Sequence, residues 1–251
     1  TLSLHDALPI SNMVNDYSDF KSGADNKKSG NEKALVSGEI TSKQVLVTIF
    51  LFQLIACMIG IFIASQTSYY ILIVAIIGGI ISISYAFGPF PISYTPFGEA
   101  VAGITMGIGI TTTVIYIQSG AINLNTFLVA IPTVIYISTI LLSNNISDLQ
   151  EDREVGRKTL PILLGVKNAE KLWIINVIII LVLTFILVLV HIYPIVVLVT
   201  VLIFFPYKSI IDYISYDKNM NTKGRTMGLI SKIGLKYHLS VIVGLLIAIM
   251  V

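Results

Sequence analysis

Residues 144–165 read NNISDLQEDREVGRKTLPILLG. The stretch crowds Asp148, Glu151, Asp152 and Glu154 against Arg153, Arg157 and Lys158, between two apolar runs, in a chain whose charged residues are only 12% of the total. Asn144, Asp148 and Asp152 are spaced four apart, so in a helix their side chains stand on one face, one above the other. Such a face is a ladder of oxygen donors. Carboxylates grouped this way, with cations beside them, suit a hard divalent ion that holds a phosphate. The alternative reading is an ordinary solvated loop between membrane helices.

Outward from that stretch the chain is too apolar for a soluble domain of its length: 55% of its residues are hydrophobic and its mean hydropathy is +0.87. Spanning about 30 Å of hydrocarbon takes about 20 helical residues. Seven apolar runs come near that length: 45–64, 70–87, 99–117, 125–143, 172–191, 194–213 and 237–251. They are continuous and not alternating, which favours helices over a barrel. The expected fold class is all-α, a polytopic transmembrane helix bundle. The single cysteine, Cys57, excludes an internal disulfide or a zinc cluster. A formal charge of +2 gives no reason to expect nucleic acid as a partner.

The sixteen Lys and Arg residues fall in three segments, 21–43, 153–171 and 208–236. Threading seven runs through a bilayer puts all three on one face, together with the 87–98 connection. By the positive-inside rule that face is cytoplasmic, so a multi-pass protein of the cell membrane with its polar motifs facing the cytoplasm is expected.

Residues 1–11, TLSLHDALPIS, fit neither a span nor a signal peptide and are expected to be a non-native or spurious start. The sequence NMVNDYSDFKSGAD follows at 12–25 and carries Asn12, Asn15, Asp16, Asp19 and Asp25. In a helix it collects amide and carboxylate oxygens on one face, a second copy of the opening pattern; a polar turn with local capping is the alternative. Lys33 lies in the polar segment behind it, within reach of an anionic ligand, and Thr41 or Ser42 is placed to cap the helix that begins near Lys43.

The stretch SYAFGPFPISYTPFGE at 84–99 holds three prolines and two glycines and reads as a shaped loop. Its aromatics, Tyr85 and Tyr94 among them, suit either an interfacial belt or the lining of a pocket for a flat aromatic molecule. Glu99 reads as a favourable charge at a helix start. Gly103 and Gly107 form a small-xxx-small pair that lets helices approach closely. Trp173 reads as an interfacial anchor, His191 as structural, and His238 as a residue near the start of the last run.

The strings NxxNDYxDxxxGxD at 12–25 and NNxxDxxxDxxxGRKTL at 144–160 resemble the two aspartate-rich motifs of the UbiA superfamily of membrane prenyltransferases. Within it, Tyr17, the Gly23-x-Asp25 detail, GPFPISY with Gly98 and Glu99, and TLPILLG look like the 1,4-dihydroxy-2-naphthoate polyprenyltransferases of menaquinone synthesis. The likeness runs from Asn12 onward and implies nine transmembrane helices, of which seven would be here, with 12–251 a prenyltransferase domain lacking its first two.

It also implies transfer of a polyprenyl chain from a polyprenyl diphosphate to an aromatic acceptor, with Mg²⁺ as cofactor and the lipid bilayer as surroundings. On that resemblance Asn15, Asp16, Asp19, Asp148 and Asp152 are expected to hold the metal, with the four aspartates as the catalytic set. Asn12, Lys33, Asn144, Asn145, Arg157 and Lys158 are expected at the diphosphate, and Tyr85 and Tyr94 at the acceptor. The lysine that the family usually carries in the central loop is not evident. Other acceptors within the superfamily are 4-hydroxybenzoate, chlorophyllide, haem and a lipid glycerol.

Two rivals come from other classes. CDP-alcohol phosphotransferases expect DGxxAR before a single DxxxD cluster, and that string does not occur. A cation-binding transporter would place ionisable groups near the bilayer midplane, where the seven runs have none.

Overall fold

The computed structural model describes residues 9–23, 34–86, 88–214 and 223–250, and among them every regular element is helical. The chain divides into two compact units, Thr1–Tyr94 and Thr95–Val251.

In the first unit, α1 (Pro9–Ser22) is followed by the short α2 (Ala34–Ser37), then α3 (Ser42–Gln66), α4 (Tyr70–Ala86) and a 3₁₀ turn at Ile92–Tyr94. Thr41 caps α3 as expected: its hydroxyl accepts from the Gln44 amide at 3.3 Å and the Gln44 side chain accepts from the Thr41 amide at 2.9 Å. Along its 25 residues only Val45 and Ala64 are buried. A helix apolar on every side with its side chains outward has lipid as its natural solvent.

The second unit opens with one long span, Gly98–Ser119, in which α5 (Gly98–Ala102), a π-helical stretch (Gly103–Ile110) and α6 (Thr111–Ser119) follow without a break. Then come α7 (Leu124–Ser147), α8 (Leu149–Glu154), α9 (Leu160–Leu164), α10 (Val166–Leu189), α11 (Ile195–Phe204), α12 (Tyr207–Ile214) and α13 (Lys223–Met250). The expected small-residue contact is present. A Cβ on Gly103 would run into Ser138 and Val134, and one on Gly107 would sit 2.6 Å from the Val134 Cα. The π-helical stretch therefore packs on α7 backbone to backbone.

Five described helices are long and apolar enough to cross a membrane: Ser42–Gln66, Gly98–Ser119, Leu124–Ser147, Val166–Leu189 and Gly228–Met250. The protein is a multi-span membrane protein, but two of the seven expected runs are not simple spans. Helix α4 is only 17 residues long. The run expected at 194–213 breaks into α11 and α12, bent by 49°, and counts as a sixth span if the pair crosses together. Pro206 explains the break: it has no N–H to donate, and it holds Phe205 in an extended conformation. The last helix also begins much earlier than position 237, so Lys236 and His238 lie well inside α13.

The core of this unit lies among α7, α10, α11 and α13, with Trp173 at its centre. The sequence expectation for Trp173 is overturned. It is 0% exposed, its indole Nε1 donates to Ser143 Oγ at 2.7 Å, and its ring stacks on Tyr213 at 3.7 Å between centroids. Apolar neighbours from several helices and a partner for its N–H outweigh an interfacial position. His238 is a tie between helices: its Nδ1 donates to the Gly234 carbonyl at 2.8 Å, which leaves Nε2 to accept from Thr133 Oγ1 at 3.2 Å. His191 has φ of 58° in the turn that ends α10.

As the only tryptophan, Trp173 reports on this packing directly. Its fluorescence is expected to be insensitive to quenchers dissolved in water and to brominated lipids alike, whereas an interfacial anchor would be quenched by both. Trp173→Phe is expected to cost about 1–3 kcal/mol, read as a lower midpoint of thermal unfolding in detergent, because Ser143 loses its indole donor within the core.

Candidate functional site

The opening stretch folds locally as its spacing predicts. The Asp148 amide donates to the Asn144 carbonyl at 2.9 Å and the Asp152 amide to the Asp148 carbonyl at 2.8 Å. The i to i+4 register thus continues across the junction where α7 gives way to α8 at Asp148. Asn144 Nδ2 donates to Asp148 Oδ2 at 2.9 Å, so the amide orients the carboxylate one turn above it.

Asp152 is 2% exposed. Its Oδ1 accepts from Arg157 Nη1 at 3.0 Å, and its carbonyl accepts from the Arg157 amide at 2.9 Å. Gly156, at φ of 77°, makes that return possible, because a side chain there would strain the left-handed turn. Lys158 is exposed beyond the turn, and Thr159, 1% exposed, begins α9. A buried carboxylate paired with a guanidinium beside a second, half-buried carboxylate is an arrangement for a polyanion and its counter-ion.

Asn145 faces elsewhere. It is 9% exposed, and its Nδ2 donates to Glu99 Oε1 at 2.9 Å. Glu99, 4% exposed at the start of α5, is a buried carboxylate, where its sequence position suggests only a charge favourable to a helix start. The signal that could have found it is its place at the charged end of an apolar run, the end shared with residues 144–165.

The first motif lies in the other unit. Helix α1 is continuous through positions 12, 15, 16 and 19, which realises the expected helical spacing, and Asp16 is half-buried. The side chains of Asn12, Asn15 and Asp19, and the whole of Asp25 and Lys33, lie outside the described residues. Tyr85, near the end of α4, and Tyr94, in the 3₁₀ turn, are both half-buried in this same unit.

Among the described residues no three Asp, Glu, His or Cys side chains gather into a closed metal cage. The donors at 144–152 are amide and carboxylate oxygens, which suit a hard ion whose remaining ligands are phosphate oxygens and water, the form in which Mg²⁺ is commonly bound. The residues therefore fit a Mg²⁺-diphosphate, with Asp148 and Asp152 as the carboxylates.

The chain is 40% identical over 159 residues to the 1,4-dihydroxy-2-naphthoate octaprenyltransferase of Bacillus subtilis (strain 168), a match covering 63% of this chain and 51% of the relative. It is 31% identical over 166 residues to UbiA prenyltransferase domain-containing protein 1 of Homo sapiens, covering 65% and 48% respectively. These matches span about half the length of the relatives. A solved structure concerning digeranylgeranylglyceryl phosphate synthase in membranes shares the fold, with a TM-score of 0.60 at 19% identity over 94% of this chain and 80% of that one. The pattern that describes the UbiA prenyltransferase family matches residues 7–230, and the chain belongs to that family.

Proposed function

We propose that the protein transfers a polyprenyl chain from a polyprenyl diphosphate to 1,4-dihydroxy-2-naphthoate, the prenylation step of menaquinone synthesis, at the cytoplasmic face of the cell membrane. The observation that carries the reading is the Asn144–Asp148–Asp152 ladder with Arg157 folded back onto its last member. The naphthoate acceptor is supported by the identity to the Bacillus relative.

An allylic diphosphate departs as an anion, so the charge growing on its oxygens must be met by cations already in place. Arg157 and Lys158 supply two. Mg²⁺ would be held by Asp148 and Asp152, with Asn15, Asp16 and Asp19 in the same role on α1, and when bound it would neutralise the diphosphate as a Lewis acid. Asn144 orients Asp148, Asn145 is held by Glu99 instead of facing the diphosphate, and Asn12 and Lys33 are assigned to the diphosphate. Tyr85 and Tyr94 are assigned to the flat acceptor, and the apolar helices to the polyprenyl tail.

The test is prenyl transfer in membranes that contain the protein, with and without Mg²⁺, using dihydroxynaphthoate, 4-hydroxybenzoate and a lipid glycerol as acceptors. Prenylated naphthoquinol that forms only with the metal is expected. Prenylation of another acceptor with dihydroxynaphthoate untouched would overturn the acceptor assignment, and full activity in chelator would overturn the metal.

A further inference from the structure

Glu99 is a buried carboxylate to which the ladder gives no task. It is 4% exposed, and three contacts fix its place: its Oε1 accepts from Asn145 Nδ2 at 2.9 Å, its carbonyl accepts from Ser138 Oγ at 2.9 Å, and Gly103, four residues further along the same span, packs against Val134 and Ser138. Asn145 stands between Asn144 and Asp148 on the last turn of α7, so Glu99 sits at the end of the bundle that carries the ladder. Its second oxygen, Oε2, is fully buried and has neither a hydrogen-bond partner nor a cation among the described residues. A buried carboxylate oxygen is an acceptor that needs a donor, and leaving it bare is costly.

The reaction proposed above brings such a donor. We propose, resting on that reading, that Glu99 is a catalytic residue on the acceptor side, whose Oε2 accepts the hydroxyl of the aromatic ring and removes its proton as the ring attacks. The electron pair of the O–H bond enters the ring, and the adjacent carbon that bears the carboxylate bonds to the allylic carbon. The allylic C–O bond breaks, and its electrons leave with the diphosphate. The keto intermediate then releases carbon dioxide, which returns an electron pair to the ring oxygen, and that oxygen takes the proton back from Glu99. Glu99 thus ends as it began, and no oxidant or other reactant is consumed. Asn145 is the positioning residue, since its amide occupies Oε1 and leaves Oε2 for the substrate.

The experiment compares wild type with Glu99→Gln and Glu99→Ala in membranes, measuring kcat and acceptor KM beside binding of radiolabelled prenyl diphosphate with Mg²⁺. Gln keeps the shape and an oxygen for Asn145 but cannot take a proton, so its kcat is expected to fall on the order of 10²–10⁴-fold. Prenyl diphosphate binding should stay within about twofold, as a group used only on the acceptor side requires. An acceptor whose hydroxyl is made more acidic by ring halogenation should shrink the Gln defect, a change that a purely structural role would not produce.

Wild-type kcat in Glu99→Gln would overturn the proposal, and so would loss of diphosphate binding in that variant or a raised Mg²⁺ requirement, which would place Glu99 with the metal. If wild type prenylates a hydroxylated arene other than dihydroxynaphthoate, the acceptor assignment fails alone and the comparison is made with that arene. If it prenylates none, both readings fall.

Discussion

Asp152→Asn is expected to reduce prenyl transfer on the order of 10²–10³-fold while the protein stays folded in the membrane. Asp152 is 2% exposed, and its Oδ1 lies 3.0 Å from Arg157 Nη1. Asparagine keeps an oxygen for the guanidinium but gives up the charge that a divalent ion requires. Asp152→Ala removes both, and with them the carboxylate that lies 3.0 Å from the Arg157 guanidinium, whose side chain is 15% exposed. Breaking a pair this buried costs about 3–5 kcal/mol, so Ala should lower the unfolding midpoint where Asn lowers mainly activity. Thermal unfolding in detergent beside transfer assays in membranes separates the two effects. Wild-type transfer by Asp152→Asn would remove this residue from the metal set.

The second large effect is expected at Gly107. A Cβ there would lie 2.6 Å from the Cα and 2.7 Å from the backbone nitrogen of Val134, and backbone cannot swing aside as a side chain can. Gly107→Ala must push the Gly98–Ser119 span off α7, at a cost of about 1–3 kcal/mol. The same displacement pulls on Glu99, because the Ser138 and Asn145 contacts hold it to α7 from the same span. Heat inactivation should accelerate, and transfer should fall even below the unfolding temperature. Gly109→Ala is the control: it lies in the same stretch with open space around its Cα, and it should behave as wild type.

Much of the site was readable because it is local. The four-residue spacing of Asn144, Asp148 and Asp152 becomes a ladder in any helix, since 3.6 residues per turn stacks them whatever lies around. The return of Arg157 to Asp152 needs only a turn, and Gly156 makes it available. Thr41 capping Gln44 spans three residues and is likewise short-range. Trp173 shows the opposite case: its composition and position near a span end suit an interfacial anchor, yet Ser143 and Tyr213, 30 and 40 positions away, enclose it. The early start of α13 escaped a reading by apolar runs because Lys232 and Lys236 are exposed, and charged side chains at exposed positions leave helical hydrogen bonding intact.

The sequence by itself determined that the chain is helical and membrane-embedded, that its Asn and Asp side chains gather in two clusters, and that the second is a helical ladder beside basic residues. Those properties depend on composition and on spacing within one or two turns. Only the tertiary structure decided that Glu99 belongs beside Asn145, 46 residues away, that Trp173 is core, and that Gly107 carries α7 on its backbone. Each of these depends on which faces of distant helices meet, and a helix sequence states which of its faces is apolar without stating which neighbour will cover it.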